Sequence, residues 1–432
     1  MTRCTLRENA LLGEKYYHCK HESGLDVYII PKKLSTYYAV FATRYGSVDN
    51  QFKLQGEADY TKVPNGIAHF LEHKLFESED GEDAFQRYAK TGAEANAFTS
   101  FTKTSYLFTC TDQFYDSLKI LLETVSRPYF TAETVKKEQG IIGEEIGMMN
   151  DSPGWVLTFN MLDGLYQDHS VKINIAGSVE SISQITAETL YKCYRAFYHP
   201  SNMVLILCGD IQPEQALEVV DEVIESKAPA EVCSLYANET PEAVRPYTEA
   251  VMDIAKPLFS IGIKDVDIPK QPAARLEKVA YLSVLLEALF GPSSDIYNEL
   301  YEQGLITGSL GYEFEHNRSF SFIEINGETD DVAAVLDRLE SYIEQAKASG
   351  IDKEIFDRAK KVVYAQAVKS FDSSEEIGNI FLSNIIDGID AFDIPGAIAA
   401  VDFEKAQLLM KKMFKREYCT VSVIKPRQAE RE

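Results

Sequence analysis

The sequence predicts an α+β fold with two homologous domains, each an antiparallel-rich sheet with helices packed on one face. The chain has 432 residues, of which 45% are hydrophobic, with 24 Gly and 15 Pro. At about 100 to 200 residues per domain this length suits two or three domains, and the composition argues against disorder or a fibrous repeat. Helix and strand patterns also recur in the same order in the two halves, which indicates a duplication.

In the first half, runs of β-branched and aromatic residues predict strands, and apolar residues at i, i+3 and i+4 predict helices. Strands are expected at 24–30, 37–46 and 203–209, with two more around a turn within 94–110. Helices are expected from about residue 66 and near 113–126, 132–149 and 187–197.

The second half repeats this order. Strands are expected near 308–314, 319–326 and 419–424, and helices near 277–290, 331–347, 353–371 and 403–414. The endings ITAETLYKCYRAFYHPSNMVLILC and VDFEKAQLLMKKMFKREYCTVSVI align when the second is shifted by 216 residues, half of the 432-residue chain. We therefore expect one domain at 1–225, a polar linker at 226–246 and a homologous second domain at 247–432.

The charge balance bears on possible partners. Lys and Arg total 43 against 67 Asp and Glu, a formal charge of −24. Such a surface repels nucleic acid phosphates and anionic membranes, so nucleic acid is excluded as an expected partner. The acidic excess has two possible explanations: it keeps the protein soluble, or it attracts basic peptides.

The ends and the cysteines predict a cytoplasmic location. The N-terminal residues have no apolar core of a secretory signal, and no uninterrupted apolar run approaches the roughly 18 residues of a transmembrane segment. The seven Cys are an odd number and form no C-x-x-C pair. Free thiols in a reducing compartment are therefore expected.

The motif with clear chemistry is HFLEH at 69–73. His69 and His73 are spaced i, i+4 with Glu72 between them, so a helix places all three side chains within about 100° of one another. Two imidazoles on one face can bind Zn²⁺, and the carboxylate beside them can take a proton from water. This is the inverted H-x-x-E-H order. The competing interpretation is a surface helix with solvated His and Glu.

A catalytic zinc needs a third protein ligand. In the long helix, Glu138 and Glu145 are seven residues apart and lie within about 20° of each other on a face that also carries Ile141, Ile142 and Met149. Buried carboxylates need partners, so we assign Glu145 as the third ligand and Glu138 as the group that orients a His. An amphipathic helix with carboxylates at its border is the alternative.

HFLEH, followed by ANAFTS at 95–100, the Glu138 and Glu145 pair, and FYHPSNMVLILCGD at 197–210, resembles the pitrilysin/insulinase family of zinc metallopeptidases. More narrowly, the chain resembles YmfH-type bacterial members, which are zinc-carrying subunits of about this length. The resemblance implies one Zn²⁺ bound by His69, His73 and Glu145, with Glu72 as general base. It also implies half of a clamshell chamber that admits short unfolded peptides, such as leader or signalling peptides.

The same resemblance assigns Asn96, Ala97 and Phe98 to an edge strand that binds the substrate backbone by β-augmentation. An ordinary strand with a core Phe98 is the alternative. Active relatives also use an Arg and a Tyr from the second half, but here Tyr301 and Thr307 stand at those positions. Tyr312 would substitute only after a register slip.

The absent Arg and Tyr imply one of two things. A homologous partner, in a heterodimer or a homodimer, supplies them, as in known bacterial heterodimers of this family. Otherwise the protein is a weakly active or non-catalytic assembly or scaffold subunit of the same fold. Complete retention of His69, Glu72, His73 and Glu145 favours the peptidase.

Overall fold

The computed structural model describes residues 3–79, 81, 83–226, 231–308 and 310–427. They form two compact units, which we call the first and second unit. The first unit lies within 1–146, 173–236 and 370–391, and the second within 147–172, 237–369 and 392–432. Each unit therefore includes a segment from the other half of the sequence.

The described residues contain fifteen strands and fifteen α-helices. The strands are β1 (Arg3–Asn9), β2 (Glu14–Lys20), β3 (Asp26–Pro31), β4 (Tyr37–Thr43), β5 (Gln51–Leu54), β6 (Thr61–Lys62), β7 (Glu94–Thr99), β8 (Thr104–Cys110), β9 (Met203–Gly209), β10 (Val232–Ser234), β11 (Tyr247–Met252), β12 (Leu258–Lys264), β13 (Gly311–His316), β14 (Ser321–Glu328) and β15 (Cys419–Pro426). The helices are α1 (Ile67–Lys74), α2 (Ala84–Thr91), α3 (Phe114–Ser126), α4 (Ala132–Asn150), α5 (Pro153–Leu165), α6 (Val179–Ile182), α7 (Ala187–Phe197), α8 (Pro213–Val223), α9 (Pro272–Phe290), α10 (Asp295–Glu302), α11 (Val332–Ser349), α12 (Lys353–Lys369), α13 (Ser374–Ile385), α14 (Ile394–Ala399) and α15 (Phe403–Met413).

The main sheets of the two units share one topology. The first has the strand order β1-β2-β3-β9-β4-β8-β7 and the second has the order β11-β15-β12-β14-β13. Within β3-β9-β4-β8-β7 the first pair is parallel and the next three are antiparallel, and the second sheet repeats this sequence of directions. The predicted α+β class with two related units is confirmed. The first sheet has the β1-β2 hairpin as an addition.

The structure differs from the expectation of helices on one face only, because one helix covers the opposite face of each sheet. In the first unit this helix is α13, which reaches β4 where Gly378 lies against the Tyr38 ring; a Cβ at Gly378 would be 2.3 Å from that ring. In the second unit it is α5, whose Met161 packs against Gly262 of β12. Each comes from the other half of the sequence, so the compact units are not the contiguous stretches 1–225 and 247–432.

Most predicted elements exist with ends shifted by a few residues, but the linker has more structure than expected. Residues 227–230 lie outside the described part. After them, β10 pairs antiparallel with β5, and the Ser234 and Tyr236 hydroxyls donate hydrogen bonds of 2.6 and 2.8 Å to Asp49 Oδ1. This part of the linker is therefore held against the first unit.

The expectation that all cysteines are free is wrong for one pair. Cys4 and Cys19 face each other in the β1-β2 register and form a disulfide. The other five cysteines, all within the described residues, are free, and Cys110, Cys193 and Cys208 are buried. A register that places two thiols opposite each other cannot be read from Cys spacing alone.

In the described part of the chain, one segment, Pro272–Glu302, is long and apolar enough to cross a membrane by length and composition. However, 72% of its most apolar stretch is buried inside the protein. Its helix α9 contributes Leu282, Leu285 and Phe290 to the core of the second unit. Burial of this kind is typical of a core helix.

Candidate metal centre

Helix α1 places the H-x-x-E-H side chains. It starts after Gly66, whose φ of 87° lies in the left-handed region, and a Cβ there would be 2.3 Å from the Ala176 carbonyl oxygen. Only glycine fits both conditions without strain. The apolar residues Phe70 and Leu71 anchor the helix with no exposed surface, and the same helix leaves His69 and Glu72 buried.

Three side chains converge at this helix. His69 Nε2 lies 3.5 Å from Glu145 Oε1, and His73 Nε2 lies 3.4 Å from Glu145 Oε2. Ligand atoms at about 2.0 to 2.1 Å from a tetrahedral zinc are about 3.4 Å apart, so these spacings fit a shared ion. Among the described residues, these three form the one group of His, Cys, Asp or Glu whose ligand atoms lie within 4.8 Å of one another. Two nitrogens and one carboxylate are the ligands of a catalytic zinc with an open position.

Glu138 lies behind His73. Its Oε1 is 3.0 Å from His73 Nδ1, which leaves Nε2 directed to Glu145. Burial opposes the charged imidazole, but the bonds to Glu138 and Glu145 outweigh it and raise the pKa of His73 to about 10. The hydrogen bonds of His69 and His73 hold the pKa of Glu145 far below its usual range. A positive charge is therefore strongly favoured among these side chains.

Glu72, the carboxylate of the HFLEH motif, is held by a hydrogen bond from a neighbouring strand. Its Oε2 accepts a 2.6 Å hydrogen bond from the Thr99 hydroxyl, and its side chain is buried. Burial raises the pKa of Glu72, although His69 and the Thr99 bond act in the opposite direction. A buried carboxylate with a raised pKa is suited to accepting a proton.

The predicted substrate-binding residues lie on β7. Among the described strands, β7 pairs with β8 on one side and with none on the other, so it is an edge strand. Asn96 is exposed, while Ala97 and Phe98 are partly buried. The Asn96 side chain accepts a 2.8 Å hydrogen bond from the Ala97 N–H. The described residues thus include an open strand edge in the unit that carries the candidate metal ligands.

Two features differ from sequence-based expectation. Ile141 was assigned to the apolar face of α4, but it is 46% exposed, and the buried residues of that helix are Val135, Glu138, Ile142 and Ile146. The sequence also gave no reason to choose Thr99 within the ANAFTS motif. Its only signal was a hydroxyl residue at the end of an edge strand, and such residues are common in strands.

Tyr301 and Thr307, which the family resemblance places at the expected Arg and Tyr positions, both lie at the surface of the second unit. Tyr301 is 56% exposed on α10, and Thr307 is exposed. The Tyr312 hydroxyl donates a 2.6 Å hydrogen bond to Glu287. Burial, reinforced by this bond, raises the pKa of Tyr312. The Tyr312 hydroxyl therefore already donates its proton to Glu287, a residue of the same unit.

Comparison with known proteins gives two family matches that together cover most of the chain. Residues 56–179 match "Insulinase (Peptidase family M16)", and residues 184–363 match "Peptidase M16 inactive domain". The chain is 39% identical over 420 residues to the Bacillus subtilis (strain 168) protein named "Uncharacterized zinc protease YmfH", covering 96% of this chain and 98% of that protein.

Solved structures also resemble this chain. A crystal structure from Alicyclobacillus acidocaldarius, described as that of an M16-like peptidase, superposes with a TM-score of 0.91 and 31% identity, covering 99% of both chains. Pitrilysin superposes with a TM-score of 0.77 and 15% identity, with 100% of this chain covering 47% of pitrilysin. The second likeness shows a shared fold, in which this chain spans about half of the longer protein.

Proposed function

Because the chain belongs to the insulinase family, peptidase family M16, we propose that it is the zinc-carrying subunit of a metalloendopeptidase. Its substrates are short unfolded peptides, of the leader or signalling class, cleaved in a chamber formed with a partner subunit. The observation that carries this proposal is the convergence of His69, His73 and Glu145 beside the buried Glu72.

In the proposed mechanism, each residue of the site has a separate role in hydrolysis. His69, His73 and Glu145 would hold one Zn²⁺, whose chemistry when bound is to acidify water and polarise a carbonyl. Glu72 accepts the proton of the attacking water and then delivers it to the leaving amine. The open edge of β7, with Asn96 to Phe98, would align the peptide as an added strand. Glu138 keeps the His73 ring in a single orientation through its 3.0 Å contact.

A partner completes the proposal. The family resemblance implies Arg and Tyr where this chain has Tyr301 and Thr307, so this chain would lack two donors that hold the substrate carbonyl. Loss of one such donor typically costs about a hundred- to a thousandfold in rate. A homologous subunit that presents Arg and Tyr, in a heterodimer or a homodimer, would restore them.

Replacement of Glu72 by Gln tests the proposed function. Gln keeps the size and an acceptor oxygen for Thr99 but cannot take a proton, so peptide cleavage should fall by about a hundred- to ten-thousandfold while zinc stays bound. Cleavage of a quenched peptide library and metal content by mass spectrometry are the two measurements. Glu144→Gln, an exposed carboxylate on α4, is the matched control. Normal cleavage by the Glu72→Gln variant contradicts the assignment.

The alternative function is an assembly or scaffold subunit of the same fold, with weak or no catalysis. Residues 184–363 match a family described as an "inactive domain", and this match supports the alternative. Metal analysis separates the two, because less than about half an equivalent of zinc in carefully purified protein would favour the scaffold.

We propose that the protein acts in the cytoplasm. The Cys4–Cys19 disulfide removes the cysteine argument for that location. Fractionation of the producing cells tests it directly, and recovery of the chain outside the cytoplasm would overturn it.

A further inference from the structure

We propose that Thr99 is a positioning residue for the Glu72 carboxylate. Its hydroxyl holds one carboxylate oxygen, so that the other oxygen receives the proton during hydrolysis. This inference rests on the proposed peptidase function and concerns how the same site works.

The contact is short, and its carboxylate partner is buried. The Thr99 hydroxyl donates to Glu72 Oε2 at 2.6 Å, and Glu72 is 8% exposed. Hydrogen bonds to a carboxylate are about twice as strong as neutral ones, and the low dielectric around a buried group strengthens them further. The bond therefore restricts rotation of the Glu72 carboxylate group.

The Thr99 hydroxyl has one proton, and its neighbours leave that proton for Glu72. Thr104, opposite Thr99 in the β7-β8 register, donates its own proton to the Tyr45 carbonyl oxygen at 2.9 Å. The oxygens of Thr99 and Thr104 are 3.3 Å apart. Neither hydroxyl has a second proton to donate across this longer contact. Thr99 thus acts as a donor to Glu72.

This arrangement assigns different tasks to the two oxygens of Glu72. Oε2 is occupied by the Thr99 proton, so Oε1 is the oxygen free to accept. When water attacks the peptide carbonyl, its O–H bond breaks and the proton forms a new bond to Oε1. That proton then moves to the peptide nitrogen as the C–N bond breaks, which returns Glu72 to the carboxylate. The proton and charge balance within the peptide, the water and Glu72.

Thr99 also connects the carboxylate to the strand edge. It is the last residue of β7, which carries Asn96, Ala97 and Phe98. A peptide paired with that edge and a carboxylate held by the end of the same strand share one rigid element. Misplacement of a reacting group by about 1 Å can cost about a hundredfold in rate.

The test compares Thr99→Val, which removes the hydroxyl at nearly constant volume, with Thr99→Ser, which keeps it. Thr109→Val on β8 is the control, since Thr109 is five residues from Thr104 and so faces the other side of the sheet. With zinc and any required partner present, we expect Thr99→Val to lower kcat by about ten- to a hundredfold, the loss of one hydrogen bond to a charged group. KM and zinc content should stay within about threefold of wild type.

Rescue and additivity separate positioning from a merely structural role. Thr99→Ser should recover kcat to within about threefold, and Thr99→Val should have no further effect in a Glu72→Gln background. Equal kcat for Thr99→Val and wild type overturns the proposal. A parallel fall in zinc content would also overturn it, because the hydroxyl would then serve the fold of the site rather than the carboxylate.

A measurement without catalysis keeps this inference distinct from the peptidase proposal. If Thr99 holds Glu72, the lowering of the melting temperature by Thr99→Val should disappear in a Glu72→Ala background. Additive shifts would overturn the contact whatever the activity. If the zinc-loaded wild type with its partner cleaves nothing, the peptidase proposal fails. The positioning role in hydrolysis then fails as well, even if the melting temperatures of the single and double variants confirm the contact between Thr99 and Glu72.

Discussion

At the scale of single residues, Glu138 fixes which nitrogen of His73 faces Glu145. Its Oε1 contacts Nδ1 at 3.0 Å, and Glu138 is itself only 6% exposed. A buried carboxylate in this place keeps the tautomer with Nε2 free for a metal and makes the ring more basic. Orientation of His73 therefore depends on a residue that touches no proposed substrate.

Replacement of Glu138 by Ala is expected to weaken zinc binding by about ten- to a hundredfold, the usual effect of losing a group that orients a ligand. Competition with a chromophoric chelator measures this. Glu144→Ala is the matched control, because Glu144 lies on the same helix but is exposed. An unchanged affinity in the Glu138→Ala variant would show that His73 needs no such support.

His169, in the second unit, predicts acid sensitivity of the fold. Its side chain is fully buried, and its Nδ1 accepts the Val171 N–H at 3.0 Å. Burial lowers the pKa of His169 to about 4 from 6.5. Between these values the unfolded chain binds a proton that the native protein does not. Stability is therefore lost as pH falls from about 6.5 to about 4, by up to about 3 kcal/mol, and is unaffected above that window.

The variant His169→Asn removes this titration while its side-chain oxygen can still accept the Val171 N–H. We expect the free energy of unfolding to fall between pH 7.5 and pH 5 by about 2 kcal/mol less in the variant than in wild type. Urea unfolding at both pH values measures it. Identical pH dependence of the two proteins would mean that His169 is protonated as easily in the folded state as in the unfolded one.

At the scale of elements, helix α4 carries the proposed third ligand, Glu145, on a backbone rich in glycine. Gly140 is exposed, and a Cβ there would meet nothing within 4 Å. Gly140→Ala should therefore stabilise the protein by about 0.5 to 1 kcal/mol through helix propensity alone. Thermal unfolding checks the sign. Gly66→Ala is the contrasting variant: its positive φ and its approach to Ala176 predict destabilisation by at least about 1 kcal/mol. A destabilised Gly140→Ala would contradict the open environment of that position.

The β1-β2 hairpin gives a second prediction at this scale. Its disulfide spans 15 residues, and in the chain-entropy treatment a loop of that length is worth about 3 kcal/mol. Reductant should lower the stability of wild-type protein and leave the Cys4→Ser/Cys19→Ser double variant unaffected. Protein purified without reductant and then denatured should expose five thiols to a colorimetric reagent. Seven thiols would show that the pair is not bonded in solution.

At the scale of the whole molecule, the absence of Arg and Tyr at 301 and 307 predicts dependence on a partner. The isolated chain with one zinc should cleave peptides weakly, and mixing with a homologous subunit that carries Arg and Tyr should raise the rate by at least about a hundredfold. Peptide cleavage measured against partner concentration checks this, with the Glu72→Gln chain plus partner as the control. Full activity of the isolated chain would contradict it.

The duplication is also a property of the whole molecule. The two main sheets repeat the same order and directions of strands, yet α9, which precedes the edge strand as α1 does in the first unit, contributes Leu285, Leu286 and Phe290 to an apolar core. The second unit therefore retains the architecture, while its helix at the position of α1 serves packing. The two units therefore share a fold, but among the described residues only the first carries the candidate metal ligands.

The sequence by itself determined the α+β class, the duplication and the H-x-x-E-H spacing, because these depend on periodicities of two and 3.6 residues and on repetition along the chain. It also singled out Glu138 and Glu145, whose spacing of seven residues places them on one helical face. Only the tertiary structure decided the reciprocal placement of α5 and α13, the Cys4–Cys19 pairing and the Thr99 contact with Glu72. These join residues far apart in sequence or depend on strand register, and local pattern carries no information about which distant surfaces meet.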